Sequence, residues 1–243
     1  GGVKPWKGAL YTPDDGRAEP FIAVPAMALG SRRKGTKIFT NCAARGLETS
    51  AGRVSAVVTE KGVITCDAIV LAGGAWSRRF CHNLGISLPQ LTVVNSAMRT
   101  EPLETGINAS CSGAGFAFRK RMDGGYTVTH NHLSVADITP DSFRLFTQFL
   151  PALLMDWKGL RLRLGKEFLD EARLGRRWAL DQVSPFEQVR ILSPEPVNTI
   201  LDEAAASLKA HYPAFTSMKI AERWAGAIDV TPDAVPIISK VGQ

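Results

Sequence analysis

The chain has 243 residues, 45% of them hydrophobic and 21% charged, and carries a net charge of +6. That is the composition of a folded globular protein of one or two domains, and it excludes a disordered chain. No apolar run approaches the about 18 residues of a membrane span, and Gly1-Gly-Val-Lys-Pro5 has none of the features of a secretory signal.

The cations fall in separate groups, Arg32-Arg33-Lys34, Arg119-Lys120-Arg121, Arg161 to Lys166 and Arg173 to Arg177. A nucleic-acid binder concentrates such charge on one face with stacking aromatics, so no nucleic acid is expected as a partner. A mild attraction for anionic substrates is expected instead. The four cysteines, Cys42, Cys66, Cys81 and Cys111, have no metal-ligand spacing, and reduced thiols in a cytoplasmic protein are expected. His130-x-His132 would share one strand face, but no third ligand accompanies it, so no metal is expected.

In chain order, the first predicted element is a helix from Pro25 to Lys34, with Pro25 in its first turn and Gly35 as its stop. A short strand, Lys37-Ile-Phe-Thr40, follows. Ala44 to Thr49, Arg53 to Thr59 and Val63 to Cys66 read as a meander, turning at Ser50-Ala-Gly52 and Lys61-Gly62. Ala68 to Ala72 is continuously apolar between Asp67 and Gly73-Gly74. That pattern predicts a strand buried on both faces, running into a turn without side chains. Such a turn either lets backbone amides approach a ligand or simply joins strand to helix.

The second half begins with a strand from Leu91 to Arg99. Phe116 to Arg119 and Tyr126 to His130 flank Met122-Asp-Gly-Gly125 and predict a hairpin. Pro140 to Trp157 reads as helical, with Pro151 expected to kink or split it. Val197 to Tyr212 keeps helical spacing through Ile200, Leu201, Ala204 and Leu208 until Pro213. A strand from Ile220 to Trp224, a close approach at Gly226, a turn from Asp229 to Asp233 and a strand at Pro236-Ile-Ile238 complete the reading.

This order, and three phrases in it, resemble the FAD-dependent D-amino acid oxidase superfamily on its glycine and sarcosine oxidase side. The phrases are Tyr11-Thr-Pro-Asp-Asp-Gly-Arg-Ala-Glu-Pro20, Ala72-Gly-Gly-Ala-Trp-Ser77, and Trp224-Ala-Gly-Ala-Ile-Asp-Val-Thr-Pro-Asp233 with Pro236. The resemblance implies an α+β fold. Residues 1–87 would be part of an α/β FAD-binding domain with its β-meander. Residues 88–219 would form a substrate domain of mainly antiparallel sheet covered by helices, and residues 220–243 would return to the first domain.

The resemblance also implies FAD as cofactor and oxidation of the C–N bond of an amino acid or secondary amine to an imine. Ala44 would meet the adenine half. Ala72, Gly73 and Gly74 would line the flavin with backbone atoms, with Trp76 packed behind them, and Gly226 and Ile228 would return near the ring. Ile228 stands where glycine oxidase-like members carry a carboxylate-binding arginine, and Phe116 replaces a family tyrosine. The substrate pocket would then draw on Phe116, Arg119, His130 and His132, for which solvated charge and core packing are the competing readings. With no arginine at 228, a bulkier or N-substituted amino acid is expected over glycine or D-alanine.

The family's opening Gly-x-Gly-x-x-Gly is not in this sequence; the nearest approach, Gly113-Ala-Gly115, has Phe118 in the third place. The expectation is therefore the middle and late part of a longer enzyme, inactive by itself and weak for FAD. The remainder of the same enzyme or a partner subunit would complete it. Two rivals stand beside this reading: a dehydrogenase β-subunit acting on sarcosine- or opine-like substrates in a hetero-oligomer, and a non-catalytic interaction module.

Overall fold

The computed structural model describes residues 2–3, 6–155 and 157–241; Gly1, Lys4, Pro5, Asp156, Gly242 and Gln243 lie outside the described residues. The chain opens with helix α1 (Pro20–Arg33), then strands β1 (Ala44–Ser50), β2 (Arg53–Thr59) and β3 (Gly62–Thr65). Helix α2 (Ser77–Asn83) leads to β4 (Leu91–Thr100), β5 (Cys111–Gly113), β6 (Phe116–Lys120), β7 (Tyr126–Thr129) and β8 (Ser134–Asp137). Then come α3 (Pro140–Arg144), α4 (Phe146–Met155), β9 (Leu160–Arg163), α5 (Lys166–Arg173), α6 (Pro185–Gln188), α7 (Asn198–His211) and β10 (Ile220–Val230). Helices and sheets mix as the α+β reading expects. Among the described residues no helix is long and apolar enough to cross a membrane.

The chain divides into two compact units, one of Gly1–Phe39, Ser96–Leu133 and Glu195–Ala225, the other of Thr40–Asn95, Ser134–Pro194 and Gly226–Gln243. In the first, β5, β6, β7 and the second half of β4 lie side by side, antiparallel where β4 meets β7 and along the β5–β6–β7 run. Alternation along β4 turns Met98 and Thr100 inward, and α7 lays Leu201, Ala204 and Leu208 against Phe116, Phe118, Tyr126 and Val128. Phe215, in the turn after α7, is fully buried and stands edge-on to Tyr126 at 4.8 Å between ring centroids. Each such aromatic pair adds about 0.5–1.5 kcal/mol beyond the area it buries.

In the second unit β1, β2 and β3 form the antiparallel meander. The first half of β4 pairs with β8, and β8 pairs in parallel with β9. A parallel pair needs a crossover, which α3 and α4 supply.

Several expected elements differ. Helix α1 starts at Pro20 rather than Pro25, because Glu19 in an extended conformation caps it and Pro20 takes the position where a missing N–H is harmless. Pro25 lies inside the helix. Its end is as expected: Gly35 has φ +94°, its N–H reaches Arg32 O, and Thr36 N–H reaches Ser31 O. Lys37 to Thr40 forms no strand.

Ala68 to Ala72 is likewise neither a strand nor buried; Val70 is 91% exposed, and the segment has no ladder partner among the described residues. The helix expected from Pro140 to Trp157 divides at buried Leu145 (φ −102°, ψ 7°), with Pro151 retained inside α4. Strand β10 runs on through Gly226 to Val230, which pushes the turn to residues 232–234, and Pro236 to Ile238 stays irregular.

Candidate functional site

The glycine turn follows the exposed apolar segment. Gly73 keeps an ordinary backbone, whereas Gly74 has φ +53°, in the left-handed region that L side chains rarely adopt. Trp76 N–H closes the turn on Gly73 O at 3.0 Å, and the chain passes directly into α2. A Cβ at Gly73 would meet Ser77 Oγ at 3.2 Å, while one at Gly74 would lie 3.8 Å from Asp229 Oδ1. Ala72, Gly73 and Gly74 are all exposed. The two glycines offer side-chain-free backbone to whatever lies against it, and this fits the close approach of a planar cofactor.

Gln90 fixes that turn. Its buried side chain accepts from Arg78 N–H at 3.1 Å and donates from Nε2 to Asp229 Oδ2 at 2.5 Å, with Gly74 O at 3.4 Å. One amide thus ties the turn, the start of α2 and the end of β10, bringing Gly73 and Gly74 beside the stretch that carries Gly226 and Ile228. Sequence reasoning passed over Gln90. The signal it left was a lone amide after Pro89, at the head of an apolar strand. Gly226 has nothing within 4 Å of an added Cβ, and Ile228 is 44% exposed.

Trp76 meets Phe186 edge-on at 5.4 Å, and Phe186 meets Trp178 at 5.3 Å. Trp178 Nε1 then donates to Arg45 O at 2.7 Å, next to Ala44. The Arg45 guanidinium in turn meets Glu187. Ahead of Ala44, Ala43 N–H donates to Glu60 at 2.7 Å, and Arg190 grips the same carboxylate with two 2.7 Å bonds. Those Arg190 bonds, then the Ala43 N–H, hold the Glu60 carboxyl at about 2. After β10, the Thr231 hydroxyl and the Val235 N–H both donate to Asp233 Oδ1 and shape the turn.

The substrate-side candidates lie in the first unit. Phe116 is fully buried, stacked on Phe118 and edge-on to Tyr212, so its ring belongs to the core. Arg119 pairs with Glu19 at 3.1 and 3.4 Å, and Met122 N–H donates to the same carboxylate. Burial pushes the Glu19 carboxyl up, but the Arg119 and Met122 bonds outweigh it and the net direction is down. His130 Nδ1 accepts from Leu133 N–H at 3.1 Å and His132 N–H at 3.2 Å, which places its ring proton on Nε2. His132 is exposed. Among the described residues no three His, Cys, Asp or Glu side chains group as metal ligands.

An exposed glycine turn between an apolar segment and a helix, braced by the strand that returns to it, is compatible with a flavin-binding oxidoreductase. The chain belongs to the DAO family, FAD-dependent oxidoreductases, which it matches over residues 1–243. It is similar to the L-amino acid deaminase from Proteus vulgaris, with 37% identity and a TM-score of 0.86 over 92% of this chain and 52% of that one. The L-amino acid deaminase from Proteus myxofaciens, solved in complex with anthranilate, gives 36% and 0.87 over 91% of this chain and 50% of that one. A D-amino acid dehydrogenase from Bradyrhizobium diazoefficiens is 39% identical over 89 residues, 36% of this chain and 21% of its own length. The chain thus spans about half the length of these solved relatives, and less of the curated one.

Proposed function

We propose that the protein carrying this chain oxidises the Cα–N bond of an α-amino acid with a bulky side chain, giving the imine and, after water adds, a 2-oxo acid and ammonium. The observation that carries this reading is the 37% identity and 0.86 TM-score, over 92% of the chain, with an L-amino acid deaminase. When bound, FAD supplies the two-electron acceptor for the substrate carbon.

Gly73 and Gly74 hold the cofactor by bare backbone, Ala44 takes its adenine side, and Trp76 supports the turn through Phe186. Gly226 and Ile228 come to the cofactor on β10. The segments 1–87 and 220–243 then supply the flavin contacts and 88–219 the substrate contacts, with Gln90 and Phe186 of the latter stretch bracing the flavin turn. His130 and His132, in the loop after β7, contact the substrate's polar groups. Arg119, already opposite Glu19, contributes as a paired charge, and Phe116 supports the pocket from within the core. The aliphatic Ile228 favours apolar bulk over a second buried carboxylate contact. Anthranilate, an aromatic carboxylate, in the Proteus myxofaciens structure agrees with that preference.

The 243-residue chain alone is expected to bind FAD weakly and to turn over no amino acid, because its sequence offers no Gly-x-Gly-x-x-Gly turn for the pyrophosphate. The test is a substrate panel on the full-length protein, read as ammonium and 2-oxo acid formed. Large apolar or aromatic L-amino acids should have the highest kcat/KM, and glycine or D-alanine at the top would overturn the reading.

A further inference from the structure

In the second unit, α2, α3 and α5 enclose a cavity of about 120 Å3. Its walls carry Arg78, Arg79, Arg144 and Arg176, against the carboxylates of Asp141 and Glu171. It adjoins a wider hollow of about 300 Å3 that shares Arg78, Arg144 and Arg176 and adds Arg177. Four guanidinium groups against two acids leave an excess of two positive charges in the inner cavity, even with both acids ionised.

The hydrogen bonds show which cations are committed. Arg78 donates to Asp141 at 2.6 Å and to Leu88 O at 2.8 Å, so it is part of the frame. Asp141 also accepts from Arg144 Nη1 at 2.9 Å. Arg79 spends one nitrogen on Leu174 O and Gly175 O, at 3.2 and 3.1 Å. Arg176 comes no closer than 3.9 Å to Asp141, beyond hydrogen-bond range, and is half-exposed. Donors of Arg79, Arg144 and Arg176 therefore remain open around one space. The neighbouring titrations agree. Burial, then Arg176, Arg177 and Arg78, push the His82 imidazole down, and burial, then Asp141, pushes the Glu171 carboxyl up.

We propose that this cavity binds a phosphate group, held by Arg176, Arg144 and Arg79 on a frame of Arg78 and Asp141. Guanidinium forks match phosphate oxygens in pairs. A dianion neutralises the excess charge, whereas a monocarboxylate leaves half of it. The adjoining hollow, where Ile86 and Leu145 are among the lining residues, has room for the organic part of a phosphomonoester.

The experiment is calorimetric titration of the intact protein with inorganic phosphate, with chloride at matched ionic strength as control. A second arm uses phenyl phosphate. Saturable phosphate binding that chloride does not reproduce is expected. Arg176→Gln, at a side chain with no hydrogen bond among the described residues, should weaken it by about tenfold, the loss of one charge-assisted contact, while leaving the thermal midpoint unchanged. Tighter phenyl phosphate supports an ester as the natural ligand; equal affinity supports free phosphate. Absence of saturable binding, an equal response to chloride, or unchanged affinity in Arg176→Gln overturns the site.

Discussion

The guanidinium of Arg45 and the carboxylate of Glu187 meet edge to edge, Nε to Oε1 and Nη2 to Oε2, each at 2.9 Å. The pair joins β1 to α6, and Glu187 also accepts from Ser184 N–H and Oγ at 2.8 and 2.9 Å. The Arg45 bonds first, offset by burial and assisted by Ser184, hold its carboxyl at about 2 against an ordinary 4.5. Folding therefore lowers this pKa. The stability it contributes is complete above the ordinary value and is lost as pH falls from 4.5 toward 2. Glu187→Gln should destabilise the protein by about 1–3 kcal/mol at neutral pH. Urea midpoints of the two proteins should converge as the solution is acidified, and a gap constant down to the acid limit would contradict the pairing.

Gly74 tests the cofactor turn. Its φ of +53° makes any Cβ unfavourable, yet the space beside it is open, with Asp229 Oδ1 at 3.8 Å. Gly74→Ala should cost about 1–2 kcal/mol through the backbone alone, and Gly74→Val more. Gly74→Asn, which tolerates the left-handed region, should keep most of the stability. Flavin content of the full-length variants separates the two roles. If Asn restores folding but flavin stays low, the bare backbone faces the cofactor; full flavin in Gly74→Val would reduce the pair to a connecting turn.

In the first unit, Leu201 of α7 is fully buried against the strands that carry Phe116 and Tyr126. Leu201→Ala should lower stability by about 2–5 kcal/mol, from lost transfer energy and the cavity left behind. Thermal unfolding checks it. A loss below the cost of a surface substitution would mean that α7 does not pack on this sheet.

Ile228→Arg should raise kcat/KM for small α-amino acids relative to bulky ones in the full-length enzyme, because a guanidinium can pair with a carboxylate where isoleucine cannot. The measurement is the ratio between two substrates, which a general loss of activity does not move. An unchanged ratio would remove Ile228 from the substrate side.

Much of this fold was legible because local rules acted alone. The meander from Ala44, the hairpin at Met122 to Gly125, helix α7 and the Gly35 stop depend on period, turn residues and caps within a few positions. What was misread depended on distant partners. Ala68 to Ala72 has the composition of an interior strand, but composition does not supply a neighbouring ladder. Pro20 and Pro25 are equally suited to a first turn, and Glu19, engaged with Arg119, marks the earlier one. At the candidate site, the Gly73-Gly74 turn was visible as a word in the sequence. Gln90 was not, since its partners Arg78 and Asp229 lie on two other segments. The arginine cavity escaped notice because its cations come from two helices and the loop after a third, and in the sequence they look like scattered surface charge.

The Arg45–Glu187 bond spans 142 positions. At the ribosomal pace of about 5–20 residues per second, roughly 7 to 28 seconds separate synthesis of the two ends. The meander is local enough to form as it emerges, so through that interval β1, the edge strand of its sheet, stands with the guanidinium and carbonyl of Arg45 not yet met by Glu187 and Trp178. A bare strand edge is open to pairing with other chains. Slower elongation between the two residues prolongs that state, and is expected to raise the aggregated fraction of newly made chains without any change in final stability.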